Sequence, residues 1–151
     1  MSKTIYLDNA ATTKMSKTAI EAMLLHMDGV YGNPSSLHSV GQKANEALVG
    51  AREKIAKLLG CEAKEITFTS GGSEADNQAI ISAARLGEKK GKKHIISTAF
   101  EHHAVLHTLN KLEKEGFEIT LLDVNEDGII LPEQVTETIR EDTCLVTIMY
   151  A

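Results

Sequence analysis

The chain has 151 residues, of which 42% are hydrophobic, 25% charged and 4% aromatic. That is enough apolar material for one ordinary domain, and it argues against global disorder. Sixteen Lys and Arg against twenty-one Asp and Glu leave a net charge of −5, the wrong sign for a protein that neutralises nucleic-acid phosphates.

No apolar run approaches the ~20 residues of a membrane helix. The opening MSKTIYLDNAATT has neither the apolar core of a secretory signal nor the Arg-rich character of a transit peptide. A soluble cytoplasmic protein is expected, without direct nucleic-acid or membrane contact. Cys61 and Cys144 are too few and too far apart for a disulfide framework or a zinc site. Cys144 sits in the apolar run Thr143–Met149 and reads as a small buried hydrophobe. The basic cluster Lys89, Lys90, Lys92 and Lys93 falls where a helix should end, and complementing the helix dipole accounts for it.

In chain order, residues 16–27 carry Ile20, Met23, Leu24 and Met27 at helical spacing, with Thr13 or Ser16 available as a cap. Residues 28–37 are rich in turn formers. Residues 37–59 then carry a long apolar stripe, Val40, Ala44, Leu48, Ala51, Ile55 and Leu58, closed by Gly60. From residue 65 the pattern becomes a strand–helix alternation: strand 65–69, helix 73–90, strand 94–98, helix 102–115, strand 117–124, a short helix opening at Pro132, and strand 143–150. Such alternation predicts an α/β fold with a mainly parallel sheet. The organisation follows as a helical lead-in over 1–64 and a βαβ domain over 65–151. A chain that stops at the mouth of an apolar strand is expected to be the beginning of a larger domain.

Ligands of open α/β sheets bind outside the carboxyl ends of the strands, and two polar motifs occupy such places. The first is Thr69-Ser-Gly-Gly-Ser-Glu-Ala-Asp-Asn77. Gly71 and Gly72 allow close backbone approach, Ser73 offers a hydroxyl, and the helix begins there with unpaired N–H groups, the makings of a phosphate site. A helix start capped by Ser70 or Ser73 explains the same residues equally well. The second motif is Thr98-Ala-Phe-Glu-His-His-Ala-Val-Leu-His107. A histidine opening that helix can act as acid or base or stack on a flat ring, or it can be a surface residue. His103 and His107 have the spacing of a metal pair, yet Ala104 stands where a zincin has its glutamate and no third ligand follows. No metal is expected.

These segments, taken in order, resemble the N-terminal part of the cysteine desulfurases, the NifS/IscS-like branch of the class V aminotransferase family. The matching stretches are Tyr6-Leu-Asp-Asn-Ala-Ala-Thr-Thr13, Gly32-Asn-Pro-Ser-Ser-Leu-His38, Phe68–Asn77, Glu101-His-His-Ala-Val-Leu106, Gly128-Ile-Ile130 and Leu145–Tyr150. The resemblance implies a fold-type I enzyme using pyridoxal 5′-phosphate (PLP). Such enzymes work as homodimers, turning L-cysteine into L-alanine and leaving a persulfide for a sulfur-acceptor protein. By position it implies that Gly72 and Ser73 bind the PLP phosphate, with Ser73 where the family usually has Thr. It implies that His102 stacks on the pyridine ring and assists proton transfer, and that Asn33 lines the substrate mouth. Glu101, His103 and His107 are left supporting or surface roles.

The family's PLP-binding lysine, its pyridine-pairing aspartate and its persulfide-forming cysteine fall beyond the equivalent of Ala151. The chain alone is therefore expected to be inactive. A selenocysteine lyase-like class V enzyme and a non-catalytic truncated binding module are the alternative readings.

Overall fold

The computed structural model describes residues 5–150, which divide into two compact units between Thr67 and Phe68. In the first, helix α1 (Lys17–Asp28) starts at Ser16, whose hydroxyl accepts from the Ala19 amide at 3.1 Å. Helix α2 (Ser39–Leu59) is opened by His38 and followed by Gly60 in the left-handed conformation. A single 3₁₀ turn, Ala63–Glu65, closes the unit, and the Arg52 guanidinium donates to the Ile66 carbonyl beyond it. The turn-rich stretch between the helices is seated against α2: a Cβ on Gly41 would lie 2.4 Å from the Ser36 carbonyl oxygen, so only glycine admits this approach.

The second unit carries helix α3 (Gly72–Glu88), strand β1 (His94–Thr98), helix α4 (His103–Lys114), strand β2 (Glu118–Leu122), helix α5 (Pro132–Thr138) and strand β3 (Thr143–Val146). The three strands form a parallel sheet in the order β2-β1-β3. All five residues of β1 are buried. On one face Ile95 joins Ile80 and Ala84 of α3 and Val105, Leu109 and Leu112 of α4, with Phe117 closing the end of the cluster. These apolar residues recur at helical spacing on α3 and α4, so each helix turns one stripe to the sheet.

Two expectations from the sequence are corrected. Residues 66–69 form no strand, because an extended segment becomes one only through a hydrogen-bonded neighbour, and none of the described segments pairs with it. The last strand ends at Val146 rather than Tyr150, although the Thr147 amide still donates to the Ile96 carbonyl at 2.9 Å. The β1–β3 register also slips by one residue, with His94 opposite Thr143 but Ile95 opposite Leu145. Cys144 is the extra residue of that bulge. It is half-buried, and its thiol, held above the usual cysteine range by burial, lies 3.4 Å from the His94 carbonyl oxygen. Its side chain fills the place where Gly87 lacks one, since a Cβ on Gly87 would sit 2.2 Å from the Cys144 Cβ.

Of the lysine cluster, Lys93 is engaged by the fold. It pairs with Glu88 at 2.8 Å and lies 5.4 Å from the centre of the Phe117 ring. His94 is fully buried with its ring between the hydroxyls of Thr143 (2.7 Å) and Thr120 (2.9 Å). Burial, aided by the nearby Arg140 charge and opposed by Asp142 and Glu118, holds its pKa below the ordinary histidine value.

Two outcomes follow. Gly87→Ala forces α3 off β3 and lowers stability by about 1–3 kcal/mol, read as a lower urea midpoint with an unchanged slope. For His94 the folded pKa lies below the unfolded one, so the unfolded chain binds more protons in mild acid. Its stabilising effect is complete above about pH 6.5 and is lost as the pH falls below that. Urea midpoints should drop between pH 7 and 5, and His94→Asn should flatten the drop.

Candidate functional site

The starts of α3 and α4 lie at the carboxyl end of β1, where the sequence placed its two polar motifs. At α3 neither Ser70 nor Ser73 acts as the cap. Gly71 holds the cap position in extended backbone, and among the described residues no side chain bonds the first N–H groups of this 17-residue helix. The Glu74 carboxylate instead folds back on Ser70, accepting from both its amide and its hydroxyl at 2.6 Å. Those two bonds hold Glu74 below the usual carboxylate range, the hydroxyl contributing most. The positive end of the helix dipole is left to the N–H groups of Gly72 and Ser73.

A Cβ built on Gly71 or on Gly72 would meet no protein atom within 4 Å. The fold itself does not demand glycine at either position. The bare backbone and the open space above it suit an anion brought close to the N–H groups. Ser73 is exposed beside that space.

At α4 the cap is His102. Its Nδ1 accepts from the Ala104 amide at 3.1 Å, and the ring is exposed. A histidine accepting through Nδ1 carries its proton on Nε2 when neutral. His103 stacks on His107, with ring centres 5.6 Å apart, on the exposed side of the helix. Among the described residues no group of three His, Cys, Asp or Glu side chains is arranged to hold a metal ion.

Asn33 lies in the first unit. Its side-chain oxygen accepts from the Ser35 amide at 2.9 Å and its carbonyl from the Ser36 amide at 3.0 Å, so the Gly32–His38 stretch is a tight polar turn.

Three further residues brace this end of the second unit: Glu101, left a supporting or surface role by the sequence, and Asn77 and Thr108, which had none. Glu101 is buried: its Oε1 accepts from the Thr98 hydroxyl at 3.0 Å and from the Met149 amide at 2.7 Å, tying the loop before His102 to the segment beyond β3. Asn77 and Thr108 meet between α3 and α4, with the Thr108 hydroxyl 2.6 Å from Asn77 Oδ1. A glutamate between Phe100 and His102 reads as surface, and only the rarity of buried unpaired carboxylates hints otherwise. The Asn77–Thr108 contact spans too much sequence for any local pattern to show it. Among the described residues, Ser97 Oγ of β1 is buried without a hydrogen-bond partner.

A parallel sheet in the order β2-β1-β3, with helices alternating along the chain, places the second unit in the α/β class. The chain belongs to the class V aminotransferase family, which it matches over residues 5–151. It is 48% identical over 149 residues to the cysteine desulfurase IscS of Methanosarcina thermophila, covering 99% of this chain and 37% of that protein. Among solved structures, a NifS-like protein superposes with a TM-score of 0.89 at 40% identity, over 95% of this chain and 39% of that one. SspA in complex with cysteine superposes at 0.83, also with 40% identity, over 92% of this chain and 40% of the other. The chain thus spans about two-fifths of the length of the relatives it matches. Among the described residues no helix is long and apolar enough to cross a membrane.

The cap function of His102 is separable from any chemistry. His102→Ala should destabilise the second unit by about 1 kcal/mol, and His102→Asn, a good cap, should restore it. Thermal unfolding followed by circular dichroism makes the comparison.

Proposed function

We propose that this chain forms the N-terminal, phosphate-binding portion of a cytoplasmic cysteine desulfurase of the NifS/IscS kind. In this reading the assembled protein, a homodimer using PLP, converts L-cysteine to L-alanine and passes sulfur to an acceptor protein. The observation that carries the reading is the uncapped start of α3, whose two glycines face open space. It is supported by the family membership and by relatives named for this activity.

In this reading the Gly72 and Ser73 amides and the Ser73 hydroxyl hold the cofactor phosphate, a dianion at the positive end of α3. The Glu74 carboxylate is engaged by the Ser70 amide and hydroxyl. His102 is fixed through Nδ1 by the Ala104 amide. Its ring is thereby oriented to stack on the cofactor, and its Nε2 is the atom at which a proton is held or handed on. Asn33 Oδ1 is taken by Ser35, so the amide NH₂ is what it has to offer a substrate carboxylate. When bound, PLP supplies the electron sink that C–S cleavage needs. The lysine that carries it and the cysteine that takes the sulfur lie in the remaining length of the assembled enzyme.

The test is a chimera in which this chain replaces the matching residues of the Methanosarcina thermophila protein. It should form alanine and sulfide from L-cysteine, whereas the 151-residue chain with PLP should form neither. In the chimera, Ser73→Ala should weaken cofactor retention about ten-fold, the worth of one hydrogen bond to a charged group. His102→Ala should cut turnover on the order of 100-fold. A folded, cofactor-loaded chimera that leaves cysteine untouched would overturn the reading.

A further inference from the structure

The amides of Gly72 and Ser73 and the ring of His102 sit on two different helices, and a single rigid ligand has to meet both. One side chain joins their first turns. Asn77 Nδ2 donates to the Ser73 carbonyl at 2.7 Å and to the Ala104 carbonyl at 3.3 Å. Its Oδ1 lies 2.6 Å from the Thr108 hydroxyl, which is also 2.8 Å from the Ala104 carbonyl. Ala104 in turn gives its amide proton to His102 Nδ1. A continuous polar path therefore runs from the turn that carries Ser73, through Asn77, to the one residue that orients the His102 ring.

An apolar residue at position 77 would pack α3 on α4 well enough, since the stripe of Ile80, Ala84, Val105 and Leu109 already does so. Apolar contact fixes position less sharply than a satisfied polar network, which has one geometry in which every group is paired. Asn77 is half-buried, both ends of its amide are engaged, and its partners lie in the first two turns of the two helices. We infer that Asn77 is a positioning residue that sets the spacing between the phosphate cradle and the His102 ring. The inference rests on the cofactor reading above and adds to it the residue that matches two half-sites to one ligand.

The test compares two probes on the 151-residue chain by following the Gly72 and Ser73 amide signals in ¹H–¹⁵N spectra. Inorganic phosphate needs only the cradle. Pyridoxine 5′-phosphate, which has no aldehyde to react with lysine, needs the cradle and the ring at the right separation. In the unaltered chain the second probe should bind about five-fold more tightly, as expected for one stacked ring. Asn77→Ala should bring that ratio close to one while the affinity for inorganic phosphate stays within about two-fold. Thr108→Val removes the hydroxyl with its contacts to Asn77 and Ala104 but leaves both bonds from Asn77 Nδ2. It should give an intermediate ratio, and it carries the test if Asn77→Ala does not fold.

A merely structural role predicts that both probes weaken together or that the ratio is unchanged, and either result overturns the inference. An unaltered chain that shows no preference between the probes, or whose shifts fall away from Gly72 and Ser73, sinks the cofactor reading itself and the inference with it.

Discussion

The complete burial of β1 is the constraint on which the second unit depends. A central parallel strand has neighbours on both edges and a helical layer on its face, so its own polar groups need partners inside the protein. His94 finds them in two threonine hydroxyls, one from each neighbouring strand, and so joins the three strands. Thr98 finds one in Glu101, which reaches on to the Met149 amide and closes the carboxyl end. The strand is thus tied at both ends by side chains whose alternatives, an unpaired imidazole or carboxylate in the interior, are costly. The helices can then be positioned against a sheet that does not slide.

That arrangement explains why the candidate chemistry is where it is. The carboxyl end of β1 is where α3 begins and α4 begins, and a helix start is a place where N–H groups remain to be satisfied. One of these starts is closed by its own histidine and the other is left open between two glycines. The asymmetry assigns different tasks to the two. In the proposed reading the open start takes charge, and the closed one holds a ring in a fixed orientation at no further expense in stability, because the same hydrogen bond caps the helix and orients the imidazole.

Much of this was legible in the sequence, and the limits are physical. Helices with stops at Gly60 and Gly116 and a start at Pro132 announce themselves locally, and the α/β alternation from residue 94 onward needs only periodicity. The helix starts at both polar motifs were legible because they lie at junctions between apolar periods, although the strand expected before the first is absent. The stretch 66–69 has strand composition but lacks a neighbour, and pairing is not a property of the segment. The bulge at Cys144, the burial of Glu101 and the Asn77–Thr108 bridge all depend on residues 27 to 50 positions apart in sequence. No local pattern encodes such meetings. Ser16 and Gly71 mark the same boundary in the treatment of caps: the first was among the candidates offered by residue type, whereas the second holds a cap position that serine was expected to take.

The contact between Gly87 and Cys144 has a consequence at the other end of its helix. Helix α3 is stiff on the scale of its own length, and Gly87 lies about four turns, ~20 Å, from Ser73. Only glycine fits against the bulged cysteine, so α3 can engage β3 at one axial setting; advancing it by a residue would drive a side chain into the sulfur. The helix therefore works as a gauge rod. It is indexed where it touches the sheet, and it delivers two backbone amides at a fixed reach from that index mark. The width of a bulge in a strand with no evident part in binding decides where, far away, an anion would come to rest.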